Sequence, residues 1–249
     1  MAFATYPSLR DRTVFITGGA SGIGEALVEA FRGQGAHVAF VDNNQVAGEA
    51  LVRRLPDVMF QYADVTNSSS LEAAISAASA ALGPITVLIN NVANDTRHEA
   101  MTMTAADWRA NLAVNLDPVF TAATAVVPGM ARAGGGTIIN LGSINSILTP
   151  GGMPAYVAAK GAVSALTGAL AQDWGGMGVR VNCISPGWVV TERQLALWLT
   201  EDAEAAHMAQ VALKARIMPA DVARLALFLA ADDSAMITGQ DIVIDGGRT

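Results

Sequence analysis

The stretch "TVFITGGASGIGEALVEAF", residues 13–31, changes its period midway. Thr13–Thr17 is a β-prone apolar run, Gly18–Gly24 is a glycine-rich turn, and from Ile23 to Gln34 apolar residues return at helical spacing. Glycines let a backbone turn tightly and come close to a ligand, while the helix that follows aims free N–H groups and its positive dipole end at the same point. A strand, turn and helix in this order therefore suit a pyrophosphate, with Gly18, Ser21, Gly22, Ile23 and Gly24 as its candidate contacts. A glycine-rich turn by itself reads equally well as only a turn.

Working outward, short β-prone runs alternate with longer Ala-rich helical stretches: "HVAFVD" (37–42), "VMFQY" (58–62), "TVLIN" (86–90), "GTIINLG" (136–142), "VRVNCIS" (179–185) and "QDIVID" (240–245). Near-continuous apolar strands separated by helices predict a parallel sheet covered on both faces, a single-domain, doubly wound, Rossmann-like α/β fold with seven strands. The helices are expected at Ile23–Gln34, Gln45–Leu55, Ser68–Leu82, Ala105–Ala131, Ala155–Trp174 and Pro219–Ala231, several after a capping Ser, Thr or Asn. Residues 91–102 and about 187–218 break the alternation after strand ends, where ligands bind in open α/β sheets; the second is the candidate substrate lid.

The chain has 249 residues, 52% of them hydrophobic, and a formal charge of −7 without a basic stripe, which disfavours nucleic acid as a partner. The opening "MAFATYPSLRDR" lacks a secretory signal, and no run is long and charge-free enough to suggest a membrane span, so a cytoplasmic protein is expected. The single cysteine, Cys183, allows no internal disulfide, and His37, His98 and His207 lack metal-ligand spacing, so no metal site is expected.

Two further groups give the turn a purpose. Asp42, at the end of the second strand, can accept hydrogen bonds from adenosine ribose hydroxyls and would repel a 2′-phosphate, and neither Asn43 nor Asn44 would compensate; the cofactor is therefore expected to be NAD. In "YVAAK", Tyr156 and Lys160 stand four apart on one helical face. An ammonium beside a tyrosine favours the phenolate, which makes a general base. Ser143 could hold a substrate oxygen against that phenol and Asn115 could carry a water chain, although each also reads as an ordinary loop or helix residue.

Together these motifs resemble the short-chain dehydrogenase/reductase family over nearly the whole chain. "TGGASGIG" resembles its cofactor turn, "DVT" with Asp64 and Val65 its adenine contact, and Asn90 and Asn91 the start of its central-strand motif. Asn115, Ser143, Tyr156 and Lys160 match its catalytic four, and Pro186, Gly187, Val189 and Thr191 its nicotinamide site. The resemblance implies hydride transfer between a carbinol carbon and nicotinamide C4, with Tyr156 moving the proton, Lys160 tuning it and binding ribose, Ser143 orienting oxygen and Asn115 relaying protons. One departure is "NNVA": Val92 and Ala93 replace the usual Ala-Gly, and a side chain at 93 is expected to restrict the backbone and crowd the cofactor. The final run "MITGQDIVIDGG" resembles the family's last strand, which implies a homotetramer.

For the substrate, Asn94, Asp95, Arg97, His98, Glu192, Arg193 and Gln194, together with Asn145, supply hydrogen-bonding groups suited to a hydroxyl-rich ligand, with Ser143 and Tyr156 at the reacting oxygen. Trp188 could present a flat face to a sugar ring; equally, the charged groups could be a solvated surface and Trp198 the buried face of a lid helix. "YPSL" (6–9), "NDTRH" (94–98), "TERQ" (191–194) and "LKARIMP" (213–219) are similar to runs in NAD-dependent sugar dehydrogenases, especially the bacterial D-xylose 1-dehydrogenase type. That similarity implies oxidation of an aldose at its anomeric carbon. The alternatives are a polyol or secondary-alcohol dehydrogenase, a 3-oxoacyl-thioester reductase, which usually pairs with NADPH, and a catalytically silent dinucleotide-binding protein.

Overall fold

The computed structural model describes residues 4–249; Met1, Ala2 and Phe3, which open the stretch read for a secretory leader, lie outside the described residues. In chain order the elements are β1 (Thr13–Thr17), α1 (Gly22–Gly33), β2 (His37–Asp42), α2 (Gln45–Arg54), β3 (Met59–Tyr62), α3 (Ser68–Leu82) and β4 (Ile85–Asn90). They continue as α4 (Ala105–Asn115), α5 (Asp117–Arg132), β5 (Gly136–Leu141), α6 (Asn145–Leu148), α7 (Pro154–Trp174), β6 (Val179–Pro186), α8 (Glu192–Leu197), α9 (Glu201–Gln210), α10 (Pro219–Ala230) and β7 (Asp241–Ile244). The strands form one parallel sheet in the order β3-β2-β1-β4-β5-β6-β7, so the winding reverses between β1 and β4. Side chains alternate across it. Val14 and Ile16 pack with Leu27 and Phe31 of α1 and Leu227 of α10, whereas Phe15 packs with Ile75 of α3, Val126 of α5 and Leu170 of α7.

Burial on both faces holds for β1 and the central strands but not for β3 and β7, which are half-exposed. Both are edge strands, so each has one paired neighbour and less helix above it. Expected caps form at Asn44, Asn67 and Thr104, where each side chain accepts from the backbone N–H three residues on. The single helix expected at Ala105–Ala131 is instead two, parted at Leu116 (φ −126°, ψ −55°). Pro118 is the reason: it has no N–H to give Val114, and its ring would strike that carbonyl, so it serves in the first turn of a new helix. By length and composition Ala105–Arg132 would pass for a membrane span, contrary to the expectation that no run would. The break divides it, and Val126, Val127 and Met130 of α5 are buried against the sheet.

Buried polar bonds fix the central strands to α7. Asn90 Nδ2 donates to Asn140 Oδ1 (2.9 Å), and Asn140 Nδ2 donates to Thr167 Oγ1 (2.9 Å), which joins β4, β5 and α7. Cys183 is fully buried in β6, and burial pushes its thiol up to about 12, so it stays protonated and takes the part of a small apolar residue.

Candidate active site

The glycine turn lies beyond the carboxyl ends of β1 and β4, at the point where the winding reverses. Gly18 has φ +68°, and a Cβ on Gly24 would stand 1.8 Å from the Gly18 carbonyl oxygen, so the loop closes this tightly only with glycine at both places. Ser21 occupies the N-cap of α1 without making a capping bond, which leaves its hydroxyl and the first-turn N–H groups for a ligand. The Ala20 N–H donates to Asp42 Oδ2 (3.0 Å) and the Asn44 N–H to Asp42 Oδ1 (2.9 Å), which holds the carboxylate at the lip of the turn. Asp64 is exposed and accepts from the N–H and hydroxyl of Thr66, with Val65 buried beneath.

Asn91 does more bracing than its expected cofactor contact requires. Its Nδ2 donates to the carbonyls of Thr17 (3.0 Å) and Gly18 (2.9 Å), tying the end of β4 to the turn. The expected strain at Ala93 is absent: among the described residues only Asp11 and Thr149 have positive φ without being glycine, so Ala93 needs no glycine-like backbone. Val92 lies close to the turn, 2.9 Å from where a Gly18 Cβ would stand.

Beyond the strand ends opens a cleft of about 470 Å³. Ser143, Tyr156 and Lys160 all line it, delivered by the end of β5 and the first two turns of α7. Ser143 Oγ accepts from the Asn145 N–H at 3.1 Å. Lys160 Nζ donates to the Leu141 carbonyl (2.6 Å) and lies 5.8 Å from the centre of the Tyr156 ring. Asn115 is fully buried and engages both ends of its amide. Its Oδ1 accepts from the Asn94 N–H (2.9 Å), and its Nδ2 donates to the Asn94 carbonyl (3.0 Å) and to Asn111 Oδ1 (2.9 Å). Because α4 stops there, this side chain can grip the loop after β4; neither Asn115 nor Asn94 lines the cleft.

The electrostatics correct one expectation. Burial pushes the Tyr156 phenol up to about 12, against the opposite pull of the Ser143 hydroxyl, rather than the ammonium drawing it down. Burial also lowers Lys160 to about 8, so its ammonium survives at neutral pH and is lost above that. A base with a raised pKa is scarce in its active form at neutral pH, gaining up to about tenfold per unit of rising pH. The rate of alcohol oxidation is therefore expected to climb from pH 6 toward 8 and bend over above about 8, as Lys160 loses its charge. A pH–rate profile that is flat, or falls from pH 6, would contradict this.

The candidate lid is tied to the loop after β4 through Asp95, one of the polar pocket-loop groups singled out in the sequence, though not as a link between the two segments. Asp95 Oδ1 accepts from Arg193 Nη2 (3.2 Å), and its Oδ2 accepts from Gln194 Nε2 (2.8 Å), while Gln194 Oε1 accepts from Trp188 Nε1 (2.8 Å). Arg193 and Gln194, expected to face a sugar, thus commit polar groups to Asp95, and Trp188 packs edge-on against His207, ring centres 5.4 Å apart. Arg97 lies over the Trp198 ring at 4.7 Å. Arg193 is half-exposed, so its ion pair is weak and the Gln194 bond carries much of the rest; together they are worth about 1–2 kcal/mol. Asp95→Ala is expected to raise KM about five- to thirtyfold, with less effect on kcat, and to speed proteolysis within residues 192–210. Unchanged KM and unchanged cleavage would show that the latch does not govern the lid.

A family model described as enoyl-(acyl carrier protein) reductase matches residues 18–249. The chain belongs to the short-chain dehydrogenase/reductase family. It is 44% identical over 247 residues to a probable galactose dehydrogenase of Rhizobium meliloti, covering 97% of this chain and 96% of that one. It is 42% identical over 252 residues to the D-xylose 1-dehydrogenase of Caulobacter vibrioides, covering 99% of each. The fold superposes on a proposed gluconate dehydrogenase of Agrobacterium tumefaciens with TM-score 0.93 and 28% identity, over 98% of each chain.

As a short-chain dehydrogenase/reductase the chain is an oxidoreductase acting on CH–OH groups. Of the expected residues, Ile23, Asn91, Ser143, Asn145, Tyr156, Lys160, Pro186, Gly187, Trp188, Val189, Thr191, Arg193 and Gln194 meet at the cleft. Gly18, Ser21, Gly22, Gly24, Asp42, Asp64 and Val65 lie outside it, around the turn and the open ends of β2 and β3. The cleft adds Met153, His207 and Arg248. His207 belongs to α9, whose start is legible as Thr200 followed by three acids in the first turn, "TEDAE"; nothing local in the sequence marks Met153 or Arg248 as cleft residues.

Proposed function

We propose that the protein oxidises the anomeric C–OH of an aldose, a pentose such as D-xylose or a related sugar, to the lactone, with NAD as hydride acceptor. What carries this is the placement of Ser143, Tyr156 and Lys160 together in a cleft at the winding reversal, in a chain whose full-length relatives are named for galactose and D-xylose. The residues fit the cofactor. The glycine cradle and uncapped start of α1 suit a pyrophosphate, Asp42 the ribose hydroxyls, Asp64 and Val65 the adenine, and Pro186, Gly187, Val189 and Thr191 the nicotinamide. NAD, when bound, supplies the hydride acceptor.

The protein's part is orientation and proton transfer. Ser143 holds the anomeric oxygen, and Tyr156, as phenolate, takes the hydroxyl proton while the C–H bond yields its hydride. Lys160 keeps a positive charge near the phenolate, and we assign Asn115 as a positioning residue that sets the loop after β4 through Asn94. Residues 187–218 act as the lid of a single domain. The same reading carries a cytoplasmic homotetramer, and a monomer in sedimentation velocity would contradict that assembly.

The test is nicotinamide absorbance with xylose, arabinose, galactose, fucose and glucose, against a polyol set and a 3-oxoacyl thioester, each with NAD(H) and NADP(H). Reduction of NAD by one or more aldoses is expected. Turnover confined to polyols, or to the thioester with NADPH, would replace this reading with the corresponding alternative.

A further inference from the structure

The charge in the cleft runs against that of the chain. The protein carries −7 overall, yet the cleft is lined by Arg97, Arg193, Arg248 and Lys160 against a single carboxylate, Asp95. Asp95 is committed to Arg193, and the Lys160 ammonium is buried and bonded to the Leu141 carbonyl. Arg97 and Arg248 are left, and among the described residues neither makes an ion pair.

Arg97 rests on the Trp198 ring, which orders the guanidinium without neutralising it. Arg248 follows β7 on the final turn of the chain, where the neighbouring carboxylate, Asp245, is directed onto that turn's own groups. Asp245 accepts from the Gly247 N–H (2.8 Å), the Thr249 N–H (2.8 Å) and the Thr249 hydroxyl (2.9 Å). The Arg248 charge reaches His207, whose imidazole is lowered first by burial and then by that guanidinium, so it stays neutral at neutral pH and leaves the Arg248 charge unbalanced. The charges felt by the Tyr156 phenol are those of Asp95 and Arg97. The cleft thus holds the reacting group, Tyr156, and a cationic group, Arg248, beside a neutral His207.

A neutral sugar offers an unpaired guanidinium only single, uncharged hydroxyl acceptors, whereas a carboxylate neutralises it and matches its fork with two parallel hydrogen bonds. We infer that the preferred substrate is an aldose bearing a carboxylate at the end remote from its anomeric carbon, a hexuronate, held there by Arg248 with Arg97 adding to the field. This rests on the aldose reading above. The reaction balances in the same way: the C1–H bond gives its hydride to NAD, the C1 hydroxyl gives its proton to the Tyr156 phenolate, and C1=O forms. The product is the lactone of the corresponding dicarboxylic acid, its remote carboxylate unchanged.

The experiment compares kcat/KM for galacturonate and glucuronate with their methyl esters, which keep the shape and lose the charge, alongside galactose, xylose and gluconate, all with NAD. The acids are expected to exceed their esters by roughly tenfold or more, and Arg248→Gln to bring that ratio close to one. Both substrates are read on one preparation, so the ratio does not depend on how much of the variant folds. Equal rates for acid and ester, or a ratio that survives Arg248→Gln, overturn the inference. Oxidation of neutral aldoses with no advantage for the acids overturns it and leaves the aldose reading standing. Failure of every aldose, neutral or acidic, or oxidation confined to gluconate, which has no anomeric centre, overturns that reading itself.

Discussion

Tyr156→Phe is expected to lower kcat about 10²- to 10⁴-fold, the range by which a positioned general base or acid accelerates a reaction. Its ring is only 8% exposed, packed into the start of α7, and phenylalanine fills the same volume, so the fold has little reason to change. The lost hydroxyl stands beside Ser143 at the cleft and is the group that the proposed reaction uses to take the substrate proton. Stability should therefore move by no more than about 1 kcal/mol, the net worth of one hydrogen bond. Steady-state NADH formation and thermal melting separate these effects. A variant with unimpaired turnover would remove Tyr156 from the chemistry and revive a dinucleotide-binding protein without catalysis; a collapsed melting temperature would mean that the loss is structural.

Asp42→Asn is expected to shift the preference for NAD over NADP by about tenfold to several hundredfold. The carboxylate stands at the end of β2 against the turn and is held by the N–H groups of Ala20 and Asn44. An asparagine retains an acceptor for one of them while removing the charge, so the turn itself survives. Two like charges about 4 Å apart repel by about 1 kcal/mol in water and about 4 near a protein surface, and a 2′-phosphate would meet this cost only in the parent. NAD should also bind more weakly, because a carboxylate accepts ribose hydroxyls better than an amide does. The ratio of kcat/KM with the two cofactors reads the effect directly. An unchanged ratio would show that Asp42 serves the turn and not the choice of cofactor.

The fold was legible because its signals are local. "TVFITGGASGIG" holds a strand, a turn that only glycine can make and a helix start, and the same alternation of period recurs to the end of the chain. The break at Leu116 was also written locally, in Pro118, but the apolar residues on either side continue at helical spacing and hide it. The meeting of Ser143, Tyr156 and Lys160 at one cleft was legible as spacing within one helix and as a strand end. The latch was not: Asp95 and Gln194 lie 99 residues apart in the chain and meet only after the sheet has brought the loop after β4 beneath α8. Arg248 faces the cleft because β7 returns the chain beside α9, a pairing that no periodicity in residues 241–249 announces. The Tyr156 phenol depends on burial that a sequence does not give, so the spacing to Lys160 suggested a lowered pKa where burial raises it.

The most direct test of the central claim follows the hydrogen itself. Aldose labelled with deuterium at C1 should transfer that label to C4 of the nicotinamide, slow the reaction if hydride transfer limits it, and leave an aldonic acid after the lactone opens. Label retained in the sugar, with a keto-sugar as product, would place the oxidation at another carbon and contradict the account.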